Sequence, residues 1–147
     1  MSNGLPFEFP PQANGPERDQ ALEDYLASLL PTPWTAVTFL NSWLNYGAPF
    51  QLAQYRKVGD QVALRGLVLK VAGGPGTVVC NLPVGFRPRA DHIFTCEGYT
   101  SANGYISMRV DVNAAGNVVV GTQYEAGALG GNVGFLSLDS IRFSTTA

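Results

Sequence analysis

Charge is scarce in this chain: Asp, Glu, Lys and Arg make up 14% of its 147 residues, and the net charge is -2. So small a share leaves a monomer short of charged surface, and it predicts that copies of the chain cover part of one another. Lysines and arginines nowhere cluster, since Arg56/Lys57, Arg65/Lys70 and Arg87/Arg89 stand in separate segments. A nucleic-acid partner needs a concentrated basic stripe to neutralise phosphates, so that class is excluded and the three pairs read as solvated positions. No apolar run approaches the ~20 residues that cross a bilayer, which excludes insertion by a membrane helix. The opening MSNGLPFEFPPQ has neither the basic nor the apolar region of a signal peptide. That predicts a protein made in the cytoplasm and leaving it only inside a larger particle.

Chemistry is equally sparse. His92 is the one histidine, and Asp91 beside it would point to the opposite face of a strand, so the two form no dyad. Cys80 and Cys96 fall in expected strands; a bridge is geometrically possible, but two buried reduced thiols are the plainer reading without a secretion signal. With His92 they lack the close paired spacing of a zinc site. Gly73, Gly74 and Gly76 lie in a strand-to-strand turn and precede no helix, so they cradle no phosphate. There is no GxSxG elbow and no HExxH run. Asp91, Glu97, Asp111, Glu125 and Asp139 are the candidates for a carboxylate pair cleaving glycosides. They are few, and most fall at turns or outward positions, so solvated or ion-paired carboxylates are expected. No catalytic residue, metal or cofactor is predicted.

What the chain has in quantity is turns and rings: Gly 17, Pro 10, Phe 8, Tyr 6 and Trp 2. Such a composition suits short strands more than helices. Hydrophobic residues reach 46%, enough for one sizeable core, and the length is too small for two domains and a linker. Three segments follow. Residues 1–15, with Pro6, Pro10, Pro11, Asn14 and Gly15, read as an extended arm. Residues 16–33 read as a helix: Leu22, Leu26 and Leu29 form an apolar stripe, Pro16 suits the first helical position, and Pro31 and Pro33 end the run. Two heptads are too short to be stable alone in water, so the stripe either packs on its own domain or bundles with copies of itself.

Residues 34–147 read as β-structure. Tyr55 to Val68 forms a hairpin turning at Val58-Gly59-Asp60, with a positive φ at Gly59. The expected strands are Val37–Phe39, Leu52–Lys57, Gln61–Val71, Thr77–Leu82, Asp91–Glu97, Tyr105–Val112, Asn117–Gly121 and Val133–Phe143, with Asn41–Phe50 as a loop. Gln61–Val71 is apolar on both faces and should be covered twice; Val133–Phe143 changes parity near Asp139-Ser140, which suggests a bulge. In Tyr105–Val112 the residues Ile106, Met108, Val110 and Val112 point inward. About eight strands with turn signals every 8–12 residues predict an all-β, antiparallel β-sandwich of jelly-roll type, preceded by one short N-terminal helix and an extended arm.

Tyr46, Tyr99, Tyr105 and Tyr124, near Asp91, Glu97, Asn103 and Arg109, are side chains that stack on sugars and bond hydroxyls. Exposed tyrosines also rim oligomer interfaces, so both readings stand. Tyr99, Tyr105, Arg109 and Tyr124 are the binding candidates; Leu22, Leu26 and Leu29 are the oligomerisation candidates.

The ordered series Trp34, Phe39-Leu40-Asn41-Ser42-Trp43, YRKVGDQVALRG (55–66), LPVGFRP (82–88), Gly116-Asn117-Val118 and Leu136-Ser137-Leu138-Asp139-Ser140-Ile141-Arg142-Phe143 resembles the C-terminal head domains of tailed-bacteriophage tail fibres and minor tail (receptor-binding) proteins. The resemblance spans roughly residues 34–143. It implies a non-enzymatic virion protein, a homotrimer at the tail tip or fibre, attached to other virion proteins through its arm and adhering to host-surface polysaccharide. In that picture Tyr55, Val62, Leu64, Gly66, Pro83, Gly85 and Pro88 are scaffold. A short arm and one helix stand where such proteins carry a long shaft, which admits an alternative: a capsid decoration or tail-assembly protein with no ligand.

Overall fold

The computed structural model describes residues 15–70, 78–121 and 133–146. Nearly all of the expected arm, the turn through Gly73 and Gly76, Tyr124 and Glu125 lie outside these residues.

Helix α1 spans Gly15–Leu29, with Glu17 in the first turn where the helix dipole favours an acid. Pro31 and Pro33 follow and cannot continue it. None of its residues is buried, and Leu22, Leu26 and Leu29 are 38%, 50% and 45% exposed. The stripe is thus left largely open to solvent.

Eleven strands follow among the described residues: β1 Thr35–Ala36, β2 Trp43–Asn45, β3 Gln54–Val58, β4 Gln61–Arg65, β5 Leu67–Lys70, β6 Val78–Asn81, β7 His92–Thr100, β8 Gly104–Val112, β9 Asn117–Val120, β10 Val133–Ser137 and β11 Arg142–Ser144. They form a four-stranded sheet, β1-β3-β4-β11, and a seven-stranded sheet, β2-β5-β10-β7-β8-β9-β6. All pairings are antiparallel, so the fold is the all-β sandwich expected. Between the sheets Val62, Leu64, Val68, Leu82, Met108, Val110, Val112, Leu136, Leu138 and Ile141 are fully buried. The β3–β4 hairpin turns at Gly59 with φ 60°, as the sequence predicts, and β8 buries Met108, Val110 and Val112.

Two expected strands are each two strands in different sheets. Gln61–Val71 breaks at Gly66, whose φ of 118° lets β4 leave the small sheet and β5 enter the large one. The expected bulge at Asp139-Ser140 is the matching corner between β10 and β11. The corners are tied together: Leu64 N donates to Ile141 O at 3.0 Å and Leu138 N to Gly66 O at 2.9 Å, while Asp139 Oδ1 accepts from Gly66 N at 2.8 Å. Inward parity runs through the break, with Leu64, Gly66 and Val68 all buried, so alternation carries no trace of it. Double coverage is also corrected, since Ala63, Leu67 and Leu69 are only half-buried.

Smaller corrections follow from the same pairings. The first strand lies at Thr35–Ala36, while Phe39 makes a single bridge to Cys80. Within the expected Asn41–Phe50 loop, Trp43–Asn45 pairs with β5, entered through Asn41 and Ser42 at positive φ. β7 continues past Glu97 to Thr100, pairing with β8 up to Thr100↔Gly104.

Candidate functional site

Antiparallel register places three rings side by side on the outer face of the large sheet. Phe135 on β10 is opposite Tyr99 on β7, which is opposite Tyr105 on β8. The Tyr99 ring stacks on Phe135 at 5.9 Å and meets Tyr105 edge-on at 5.3 Å; Tyr105 and Phe135 are 6.0 Å apart. Gly134 makes room for this arrangement, because a Cβ there would come within 2.7 Å of Tyr99 Cδ1. Tyr105 is 75% exposed, so the row ends in an open aromatic face. Beyond Phe135 the sheet continues through β5 to β2, where Leu69 faces the exposed Leu44 across the strand pair. The result is an apolar band reaching over five strands. Next along β7 and β8 come the polar cross-strand pairs Glu97↔Ser107 and Thr95↔Arg109.

Sequence reasoning brought Tyr99 and Tyr105 forward, and the sheet brings them together; it missed Phe135. Its signal was the spacing of Phe135 before Leu136, which put the ring outward on a strand otherwise read from its inward residues. Arg109 does not join them. It lies four residues from Tyr105, ~13 Å along the strand, and donates from Nε and Nη2 to the two carboxylate oxygens of Asp111, both at 2.8 Å. The hydrogen bonds to Asp111, with its charge, hold the Arg109 guanidinium above its ordinary range.

Three of the five candidate carboxylates for hydrolysis have other engagements. Asp91 Oδ1 accepts from Ala114 N at 2.9 Å, Asp139 accepts from Gly66 N at 2.8 Å, and Asp111 holds Arg109. Glu97 is exposed on the sheet face. His92 stacks its ring on Phe94 at 6.1 Å and Phe143 at 6.2 Å. No group of three His, Cys, Asp or Glu able to hold a metal occurs among the described residues. Cys80 and Cys96 are free and buried; burial pushes the Cys80 thiol up to about 12 and raises Cys96, against a weak Ser140 hydroxyl contact at 3.6 Å.

A second constellation was invisible in the sequence, where its members lie in separate segments between Trp34 and Arg65. On the outer face of the small sheet, Trp34 carries two guanidiniums against its ring: Arg65 Cζ at 3.9 Å and Arg56 Cζ at 4.5 Å from the ring centre. Gln54 Oε1 accepts from Arg65 Nη2 at 2.6 Å and Nε at 2.9 Å. The sequence places Arg56 and Arg65 in separate pairs of solvated positions; the hairpin joins them. A cleft of about 330 Å³ lies elsewhere, lined by Thr38, Leu40, Tyr55, Asn81 and Pro83. The Asn81 amide there donates to Ala115 O and Asn117 Oδ1.

No protein-family model matches the chain, and no curated protein is significantly similar to it in sequence. Among solved structures it is similar to the crystal structure of the receptor binding protein (gp15) of Listeria phage PSA, at 20% sequence identity and a TM-score of 0.57. The match covers 92% of this chain and 83% of that one.

Proposed function

We propose that this chain is a receptor-binding head of a tailed bacteriophage, carried at the tail and adhering to saccharides on the host surface without cleaving them. The observation that supports the reading most is the Phe135–Tyr99–Tyr105 row, open to solvent at Tyr105, on a sandwich whose fold is that of a phage receptor binding protein. Aromatic faces beside polar rows suit sugar rings, which offer an apolar C–H face and hydroxyl edges together. Glu97, Ser107 and Thr95 are the polar side chains on the adjoining rows. Such a shallow site binds weakly alone, and a homotrimer held through α1 would multiply it by avidity. The uncovered leucines of α1 support that assembly, with the arm as the attachment to other virion proteins.

The test is retention of the labelled full chain on intact bacterial cells and on an array of bacterial surface glycans, against a Tyr99→Ala/Tyr105→Ala variant. Binding by the parent and loss in the variant is expected. If no cell and no glycan retains the parent, the adhesion reading fails and a decoration or assembly role replaces it. Immunogold on particles then locates it: gold at the tail fits adhesion, gold on the capsid fits decoration.

A further inference from the structure

The outer face of the small sheet gathers three arginines, of which Arg65 is held by Gln54 and, with Arg56, by the Trp34 ring. Pairing fixes the layout: Arg56 on β3 is opposite Ala63 on β4, which is opposite Arg142 on β11. Arg65 lies two residues along β4 from Ala63, on the same face. A small side chain is therefore ringed on three sides by arginines, with Trp34 behind Arg56 and Arg65. Strand spacing puts the α-carbons of Arg56 and Arg142 ~10 Å apart across Ala63, within reach of one shared anion for side chains this long.

Among the described residues none of the three arginines has a carboxylate partner. The nearest acids in sequence are spent elsewhere: Asp139 on Gly66 N, and Asp60 on the hydroxyls of Ser144 and Thr146 at 2.8 and 2.9 Å. Arg56 Nε is buried with no hydrogen-bond partner. Like charges held together against an aromatic ring repel one another, and an unspent buried donor adds to that cost. A bound anion relieves the repulsion.

We infer that Arg56, Arg65, Arg142 and the floor at Ala63 form a site for an anionic group, phosphate or carboxylate, on a surface polysaccharide or polyol polymer. This deepens the adhesion reading by adding a second contact of different chemistry from the aromatic row. A nucleic acid fits less well, because the Trp34 ring is already taken by guanidiniums and offers no face for a base.

The experiment measures binding of the full chain to poly(glycerol phosphate), polygalacturonate and neutral dextran by calorimetry at low and at physiological salt. The expected result is binding of at least one anionic polymer, weakening with salt, and none of dextran; which polymer binds tells phosphate from carboxylate. Arg142→Gln and Arg56→Gln should each lower affinity about tenfold, the loss of one charge-assisted hydrogen bond. Arg89→Gln, an exposed arginine outside the bowl, should leave it unchanged, while Ala63→Met should weaken it without altering charge. The inference is overturned if neither anionic polymer binds, or if Arg89→Gln weakens binding as much as Arg142→Gln. Its failure is separable from that of the adhesion reading. Loss of cell retention in the tyrosine variant with no polymer binding sinks only this site. Polymer binding lost in the arginine variants, with no cell retained by the parent, sinks only adhesion.

Discussion

Replacing Gly66 by alanine should strike the sandwich where its two sheets exchange strands. The residue sits at φ 118°, and a Cβ built on it would lie 2.5 Å from Ala53 Cα and 2.6 Å from Ala53 N and the Leu52 carbonyl carbon. These are backbone atoms, so no side chain can swing aside. A non-glycine residue in so sparse a region costs about 1–3 kcal/mol, and forcing an extra carbon into a filled space costs about 1–3 kcal/mol more. The sum, roughly 4 kcal/mol, is a large part of the ~5–15 kcal/mol that holds an ordinary domain together. With a urea dependence of ~2 kcal/mol per molar, the unfolding midpoint should fall by about 2 M. Gly59 is the control. Its φ is 60° and a Cβ there meets nothing within 4 Å, so Gly59→Ala should cost only the left-handed strain, about 1–2 kcal/mol. Urea titrations followed by circular dichroism and tryptophan fluorescence measure both. If Gly66→Ala moves the midpoint no further than Gly59→Ala, the close backbone approach at the corner does not constrain residue 66.

Leu22→Glu with Leu26→Glu should reduce the mass seen by light scattering to that of one chain and leave the melting of the β body unchanged, because no α1 residue is buried against that body. Cys80 and Cys96 should resist thiol reagents at pH 8 in the folded chain and react on unfolding. Their folded pKa values are raised while an unfolded thiol keeps its ordinary value of 9.0, so stability is full below pH 9 and falls as the pH rises toward about 12, where Cys80 titrates in the fold. Denaturant midpoints between pH 7 and 10.5 check the sign, and a rise would contradict it. Finally, Tyr99→Ala/Tyr105→Ala and Arg56→Gln/Arg142→Gln should act additively on affinity for whole cells, within about 0.5 kcal/mol, since the two faces share no partner.

Much of the large sheet was legible in the sequence because each of its central strands buries one face. β8 alternates strictly, and the pairing of Tyr99 with Tyr105 needs only the turn before Gly104 to set its register. The helix was legible from its leucine spacing and prolines. The corners were not, because Gly66 keeps the inward parity of Leu64 and Val68 while its φ redirects the chain, and parity records facing, not sheet membership. The arginine face was hidden for a different reason. Arg56 and Arg65 meet through the hairpin, but Arg142 arrives beside Ala63 only through a long-range pairing between β11 and β4. In sequence each arginine looks like an isolated solvated charge; the surplus exists only once the sheet is assembled.

The corner also fixes how the two faces relate. β4 carries Ala63 and Arg65 and continues into β5, which carries Leu69; β10 carries Phe135 and leads to Arg142 on β11. Two chain passes thus span both faces, bonded to each other where they cross. With sheets packed ~10 Å apart, the aromatic row and the arginine bowl look out on opposite sides of one sandwich. A single short glycan segment cannot lie on both at once within one copy. Their joint use therefore requires either a long polymer that passes around an edge or several copies held side by side. The exposed leucines of α1 offer the second route, since a helix this short is marginal alone and gains by bundling. Each copy added would present both faces again to a repeating polymer, and linked weak contacts gain about 10²–10⁴ in avidity when geometry allows simultaneous engagement. On this argument the helix variants should lose retention on cells while keeping the parent's affinity for a short oligosaccharide or a single phosphate group.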